Sequence, residues 1–163
     1  MKKIVFFLTP LLLVSSGEMK DRKNTEVLII HHSDTEEGNV EAFRRFHKDE
    51  YGWPDVGYHF VVTNGKGGED GQIQIGRSLE KIGAHAKARG RNSNSVGICL
   101  VGENQFTEKQ IQNCFILVAF LCHKYGFEPS EKTVQRHHEK CPGPGLDLQY
   151  IIENAKWYKE EYF

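Results

Sequence analysis

Short apolar runs and apolar–polar alternation predict the strands of this chain. Residues 26–30 form an apolar, β-branched run that ends at the histidine pair 31–32, a pattern typical of a buried central strand. Residues 58–63 alternate like a strand, and Asn-Gly and Asp-Gly pairs bracket a glycine-rich hairpin that leads into residues 72–76. A further strand is predicted at residues 96–101.

Apolar residues at helical spacing predict three helices. Asn39 is a suitable N-cap for a first helix that ends near Gly52. Residues 107–110 have the spacing of a capping box, and apolar residues then recur every three or four positions as far as Gly126. A last helix is predicted to begin after Asp147. Strands mixed with helices at both flanks indicate one α/β domain with a central mixed sheet.

The N-terminus has the layout of a secretory signal peptide. A short cationic start precedes an apolar run over residues 4–14, and small residues follow before charge returns. The run is shorter than the ~18 to 20 residues that span a bilayer, and Pro10 interrupts it. We therefore predict a leader at residues 1–17, an exported domain at residues 18–163 and no stable membrane span. If translation starts at Met19 instead, the domain is cytoplasmic.

Charge and composition narrow the classes of partner. The chain has 21 basic and 22 acidic residues, a formal net charge of -1, so no basic field exists to gather nucleic acid. The contents of 39% hydrophobic and 26% charged residues fit a folded domain and argue against disorder. Removal of the leader with its two lysines leaves a mildly acidic domain, which we expect to be a monomer with no nucleic-acid partner.

The four cysteines fall into two groups. Cys114 and Cys122 lie eight residues apart on the predicted long helix, about 12 Å along its axis, which exceeds the ~7 Å Cα limit for a disulfide. Cys99 lies inside a predicted strand. We interpret these three as small buried hydrophobic residues. Cys141 differs because it lies in a turn-rich loop, four residues after His137.

The histidine–cysteine loop predicts a zinc site. A catalytic zinc typically uses three protein ligands and keeps a fourth position open, so a third donor is needed. The strand-end pair His31-His32 can supply it. The run His137-His138-Glu139 also fits half of a nucleobase-deaminase signature, but that signature needs a C-x-x-C, which this chain lacks.

Five short blocks, in order along the chain, carry a family resemblance. They are IHHS at 30–33, GWPDVGYHF at 52–60, GAHAK at 83–87, NSVGICLVG at 94–102, and RHHE followed by CPG at 136–143. These blocks resemble the zinc-dependent N-acetylmuramoyl-L-alanine amidases of type 2, which include amidase-type phage lysozymes and the peptidoglycan recognition proteins. The likeness covers about residues 26–155. It implies a central mixed sheet flanked by helices, one zinc ion at the strand ends, and a groove for peptidoglycan.

The resemblance also implies the metal ligands. Its first ligand is the first histidine of the strand-end pair, and the other two come from the late loop. The implied ligands are His31, His137 and Cys141, with His32, His59 and His138 as second choices.

Further roles follow from the same resemblance. Tyr58 matches a tyrosine that relatives use near the zinc-bound water, and His85 and Asn94 match positions that line the substrate groove. The late loop is shorter than in many relatives, and Lys140 stands directly before the cysteine instead of two positions earlier. We assign Lys140 to the oxyanion position, and interpret Glu139 as a solvated charge.

The expected activity is hydrolysis of the amide bond between N-acetylmuramic acid and L-alanine, in peptidoglycan or in muropeptides. The alternative is a peptidoglycan-binding module without activity, as occurs among recognition proteins that have lost the cysteine ligand. The presence of His31, His137 and Cys141 favours the enzyme.

Overall fold

The computed structural model describes residues 18–163, so the leader predicted at residues 1–17 lies outside the described residues. Within residues 18–163 the chain forms five strands and three helices. In chain order these are β1 (Val27–His32), α1 (Val40–Tyr51), β2 (Phe60–Asn64), β3 (Asp70–Ile75), β4 (Ser95–Leu100), α2 (Glu108–Tyr125), β5 (Val134–Arg136) and α3 (Leu148–Tyr162). A single 3₁₀ turn occupies Lys87–Arg89.

The five strands form one mixed sheet in the order β3-β2-β4-β1-β5. Strand β1 pairs in parallel with both β4 and β5, and β2 pairs in parallel with β4. Only β3, at one edge, runs antiparallel to its neighbour. The sequence-based prediction of a single α/β domain with a central mixed sheet is therefore confirmed. None of the helices in the described part of the chain is long and apolar enough to cross a membrane.

Side chains alternate between the two faces of the sheet. Even-numbered residues of β1 and β4, such as Ile30 and Ile98, join the large apolar core that α2 and α3 cover. Odd-numbered residues point to the opposite face, where Ile29 packs against the segment that contains Ala86 and Cys99 packs near α1. We call these the helix face and the site face, because His31, in β1, belongs to the second set.

The predicted helix ends agree with the structure. Asn39 caps α1 by accepting a hydrogen bond from the backbone N–H of Ala42, and Thr107 and Gln110 form the reciprocal capping box of α2. The helices α1 and α2 end at Gly52 and Gly126, whose positive φ values of 64° and 72° suit glycine.

The structure differs from the predicted strands in two places. Strand β5 is absent from the sequence-based prediction, since three residues carry too little periodicity to be recognised. Tyr58 and His59, predicted to begin a strand, precede β2, which begins at Phe60. His59 is nevertheless ordered by the sheet, because its Nδ1 accepts the backbone N–H of Gly97 in the neighbouring strand.

Candidate metal centre

The parallel pairing of β1 and β5 brings two histidines to one edge of the sheet. His31 lies near the end of β1, and His137 directly follows the last residue of β5. The backbone N–H of His137 donates to the carbonyl of Ile30 at 3.1 Å, which extends the pairing to the site. Because the carboxyl ends of parallel strands share an edge, their side chains converge there.

Cys141 reaches the same point from the loop after β5. The loop closes through two backbone hydrogen bonds between His138 and Cys141, of 3.1 and 3.0 Å. One ligand atom each from His31, His137 and Cys141 lies within 4.8 Å of the others. Nδ1 of His31 is 3.9 Å from Sγ of Cys141, close to the ~3.6 Å that tetrahedral zinc with ordinary bond lengths requires. The donor set therefore fits one zinc ion.

The protonation states of these donors follow from burial. Burial lowers the pKa of His31 well below its ordinary value, and the neighbouring His85 lowers it further. Burial, followed by the nearby His138, also lowers the pKa of His137. Both imidazoles are thus neutral near pH 7 and offer a lone pair.

Burial has the opposite effect on the thiol, raising the pKa of Cys141. The backbone N–H of His32 points at Sγ of Cys141 at 3.5 Å and favours the thiolate. A metal that binds here must displace the thiol proton, as is usual for cysteine ligands.

Behind His31 lies a second buried imidazole, that of His85. Nε2 of His31 is 2.9 Å from Nδ1 of His85, and Nε2 of His85 is 3.3 Å from Oγ of Ser95. Oγ of Ser95 donates to the carbonyl oxygen of Arg91 at 2.6 Å. Oδ1 of Asn92 accepts the backbone N–H groups of residues 85 and 86, which fixes the segment that carries this ring.

Tyr58 stands beside the ligands. Its ring centroid is 5.2 Å from that of His31. Burial raises the pKa of the Tyr58 hydroxyl well above 10, and the nearby Cys99 and Cys141 raise it further. The hydroxyl therefore stays protonated at neutral pH and can donate a hydrogen bond.

The three donors lie in a cavity of about 810 Å³, a volume typical of ligand sites. Its walls include two aromatic residues that the sequence analysis gave no role, Tyr51 and Trp53, with ring centroids 4.9 Å apart. The signal for Trp53 was its place inside the GWPDVGYHF block. The signal for Tyr51 was weaker, because a tyrosine near a helix end is common.

The remaining sequence-predicted residues lie in different places. Tyr58, His85, Lys140 and Glu139 line the cavity, the last two as exposed side chains. The structure does not bring Asn94 to this cavity, and its Nδ2 donates to Oε2 of Glu26 at 2.7 Å.

The second-choice ligands are engaged elsewhere. Nδ1 of His32 lies 2.7 Å from the carbonyl oxygen of Glu103, and His138 accepts the backbone N–H of Lys140. His59 is buried behind the sheet edge, where it contacts Gly97. None of the three belongs to the converging group formed by His31, His137 and Cys141.

Two histidines and a cysteine converge at an open cavity at the edge of a mixed sheet. This arrangement defines an α/β domain with a candidate metal centre of the catalytic type. The sequence matches the family Amidase_2, described as N-acetylmuramoyl-L-alanine amidase, over residues 21–144. The chain belongs to this family.

Curated relatives agree with this membership. The endolysin of Escherichia phage T7 is 34% identical over 145 residues, which cover 81% of this chain and 88% of that protein. Peptidoglycan-recognition protein LB of Drosophila melanogaster is 36% identical over 118 residues, which cover 69% of this chain and 46% of that protein. The family resemblance inferred from the five sequence blocks is thus confirmed.

Solved structures show the same fold. The N-acetylmuramoyl-L-alanine amidase LysC from Clostridium intestinale superimposes with a TM-score of 0.71 at 24% identity, covering 83% of this chain and 88% of that one. A Drosophila PGRP-LB variant in complex with tracheal cytotoxin superimposes with a TM-score of 0.66 at 27% identity, covering 86% of both chains.

Proposed function

We propose that this protein is a zinc-dependent amidase that hydrolyses the bond between the lactyl group of N-acetylmuramic acid and L-alanine in peptidoglycan. The observation that carries the proposal is the convergence of His31, His137 and Cys141 within 4.8 Å at an open cavity. Its support from relatives is the membership of the amidase family and the likeness to a phage endolysin.

The ligand set suits a hydrolytic zinc. When bound, zinc would lower the pKa of a coordinated water toward ~7 and polarise the scissile carbonyl. His31 and His137 would bind as neutral imidazoles and Cys141 as the thiolate. One anionic ligand against a divalent ion leaves a net charge of +1, so the ion remains an electrophile. The alternative, a peptidoglycan-binding module without activity, is the one expected where the cysteine ligand has been lost, and this chain retains Cys141.

Two side chains of the cavity are suited to the negative charge that develops on the substrate oxygen. The Tyr58 hydroxyl, kept protonated by burial, would donate a hydrogen bond to that oxygen. Lys140, exposed on the cavity wall, would bring its ammonium group to the same oxygen. Donors of this kind contribute about 3 to 4 kcal/mol each when they are well placed.

Digestion of purified peptidoglycan, followed by mass analysis of the products, tests the function. The zinc-loaded protein should release free stem peptides that begin at L-alanine. Chelation should abolish their release, and added zinc should restore it. Products cleaved between sugars, or an absence of products from zinc-loaded and folded protein, would overturn the proposal.

We also propose that residues 1–17 are removed on export, which takes the domain to the compartment that holds its substrate. The expectation rests on the sequence pattern alone. Expression of the full chain in a bacterium, with mass determination of the protein in the periplasm or medium, tests it. Full-length protein confined to the cytoplasm would contradict it.

A further inference from the structure

The His85 ring is buried beside the candidate metal centre, and its surroundings leave little room for contact with substrate. The residue is only 8% exposed, and both of its ring nitrogens already face protein atoms. A substrate held through either nitrogen would have to displace His31 or Ser95. The ring is therefore better suited to act on His31 than on substrate.

The hydrogen bonds around His85 have only one consistent direction. The terminal acceptor is a backbone carbonyl, that of Arg91, so the Ser95 hydroxyl must donate to it. Ser95 then accepts from Nε2–H of His85, which leaves Nδ1 of this neutral ring as an acceptor. Nδ1 in turn accepts from Nε2–H of His31. The proton of His31 is thereby held on Nε2, and Nδ1, the nitrogen nearest Cys141, is left with its lone pair.

Two glycines make room for this ring. A Cβ at Gly97 would lie 2.5 Å from Cγ of His85, and a Cβ at Gly83 would lie 2.4 Å from its Cδ2. Gly97 lies in the middle of the fully buried strand β4, where a glycine weakens the strand and usually marks a close approach. The missing side chains at Gly97 and Gly83 leave a space that the His85 imidazole fills, and we call this space the seat of His85.

We propose that His85 is a positioning residue that sets the tautomer and orientation of His31 before metal binds, through the chain His31–His85–Ser95–Arg91 carbonyl. The proposal rests on the proposed zinc function. It requires no contact between His85 and substrate. Partners of this kind, which hold the second nitrogen of a ligand histidine, change metal affinity by about 10- to 100-fold when they are removed.

The tautomer can be read directly by long-range ¹H–¹⁵N NMR of the imidazoles in the full chain after chelation. In the wild type we expect His31 to carry its proton on Nε2. His85→Asn places an amide oxygen near the position of Nδ1 and should keep this tautomer. His85→Phe fills the seat without an acceptor, and should give a mixture or the opposite tautomer. A wild-type His31 protonated on Nδ1, or no change in His85→Phe, would overturn the proposal.

Zinc affinity, measured by competition with a chromogenic chelator, gives a second readout. His85→Phe should bind zinc about 10- to 100-fold more weakly than the wild type, and His85→Asn should stay within about threefold. Val118→Ala, in the core of the helix face, is the control for general loss of stability. If Val118→Ala weakens zinc binding as much as His85→Phe does, the effect is not positional and the proposal fails.

Should His85→Phe fail to fold, Ser95→Ala removes the next link while retaining both imidazoles. His85 then loses the acceptor for its Nε2–H, and the fraction of His31 protonated on Nε2 should fall. An unchanged fraction would overturn the proposal. Because the NMR readout needs neither metal nor substrate, protein that shows the expected tautomer and binds zinc but releases no stem peptides would refute the proposed function alone.

Discussion

The two faces of the sheet are buried to a similar degree but hold very different chemistry. On the helix face, Leu28, Ile30 and Ile98 meet α2 and α3 in a continuous apolar core. On the site face, the odd-numbered neighbours of the same strands include His31 and Ser95, both at most 1% exposed. One residue along a strand therefore separates a packing position from a position at the candidate metal centre.

The cysteines make the comparison concrete. Cys114 on the helix face and Cys141 at the site edge are both buried thiols. Burial raises the pKa of Cys114 to about 12, and it has no imidazole partner among its described contacts. Cys141 faces Nδ1 of His31 and the backbone N–H of His32. Burial alone does not make a cysteine a candidate metal ligand. The convergence of other donors on its sulfur does.

The largest expected effect is a difference in zinc content and turnover between matched cysteine substitutions, one at the site edge and one on the helix face. Cys141→Ser should lower zinc content and reduce amidase turnover by at least about a thousandfold, since a bound metal contributes several kcal/mol to the transition state. Cys114→Ser should leave one zinc per chain and retain turnover. Zinc analysis and product release measure both. Full activity in Cys141→Ser would remove the distinction between the faces.

A substitution that creates a cavity in the core of the helix face should lower stability and leave zinc binding intact. Leu121 is fully buried in the core of the helix face, so Leu121→Ala should lower the free energy of unfolding by about 2–5 kcal/mol. Zinc content at 25 °C should stay at one per chain. Urea unfolding and zinc analysis check the two statements, and zinc loss in a variant that remains folded would contradict the second.

Low pH should lower the free energy of unfolding through a buried histidine on the site face, His59. Burial lowers the pKa of His59 from 6.5 to about 4, so between these values the unfolded chain binds more protons than the folded one. Stability from this group is complete above pH 6.5 and is lost as the pH falls toward 4, by about 3 kcal/mol. Urea unfolding of chelated protein should show that the free energy of unfolding decreases between pH 7 and pH 4. In His59→Gln this decrease should be smaller by about 3 kcal/mol. Equal pH dependence in both proteins would be the contrary result.

Within the site face, a substitution at Tyr58 should distinguish catalysis from metal binding. Tyr58→Phe removes one hydroxyl from the cavity and should reduce turnover by about 100-fold, the lower end of the effect of an oxyanion donor. Zinc content should not change, because the hydroxyl is not one of the three converging donors. Steady-state kinetics on a soluble muropeptide measures the loss, and unchanged turnover would remove Tyr58 from the mechanism.

The smallest effect is expected at the start of α2. Thr107→Ala removes the side chain that accepts the backbone N–H of Gln110, which should cost about 1 kcal/mol of stability. Turnover at 25 °C should remain that of the wild type. Thermal unfolding provides the measurement, and a loss of zinc affinity in this variant would show that the two faces are coupled.

The sequence was most informative where structure is local. Caps and spacing predicted α2 from its capping box to Gly126, since those signals act within a few residues. Strand β5 was missed because its position depends on pairing with β1, more than 100 residues earlier. Gln110 belongs to the recognised capping box, but its side-chain bonds to the carbonyls of Val62 and Val101 could not be foreseen.

The same limit applies to the site. The three converging donors could be named in advance because the resemblance carries them as residue types in order. The seat of His85 could not be, because it depends on Gly97 lying opposite the ring across the fold. The position of Asn94 outside the cavity could not be foreseen for the same reason, because its side chain bonds to Glu26, which is distant in sequence and precedes β1.

The order of the candidate ligands along the chain has a consequence for chain growth. His31 is among the first residues of the domain to be synthesised, and His85 and Ser95 follow well before α2. The strand β5, with His137 and Cys141 after it, is synthesised after the other four strands of the sheet. A nascent chain that ends at α2 contains His31 with its partners His85 and Ser95 but lacks the other two candidate ligands. If the three donors bind the catalytic metal as proposed, amidase activity cannot begin before residue 141 has been synthesised.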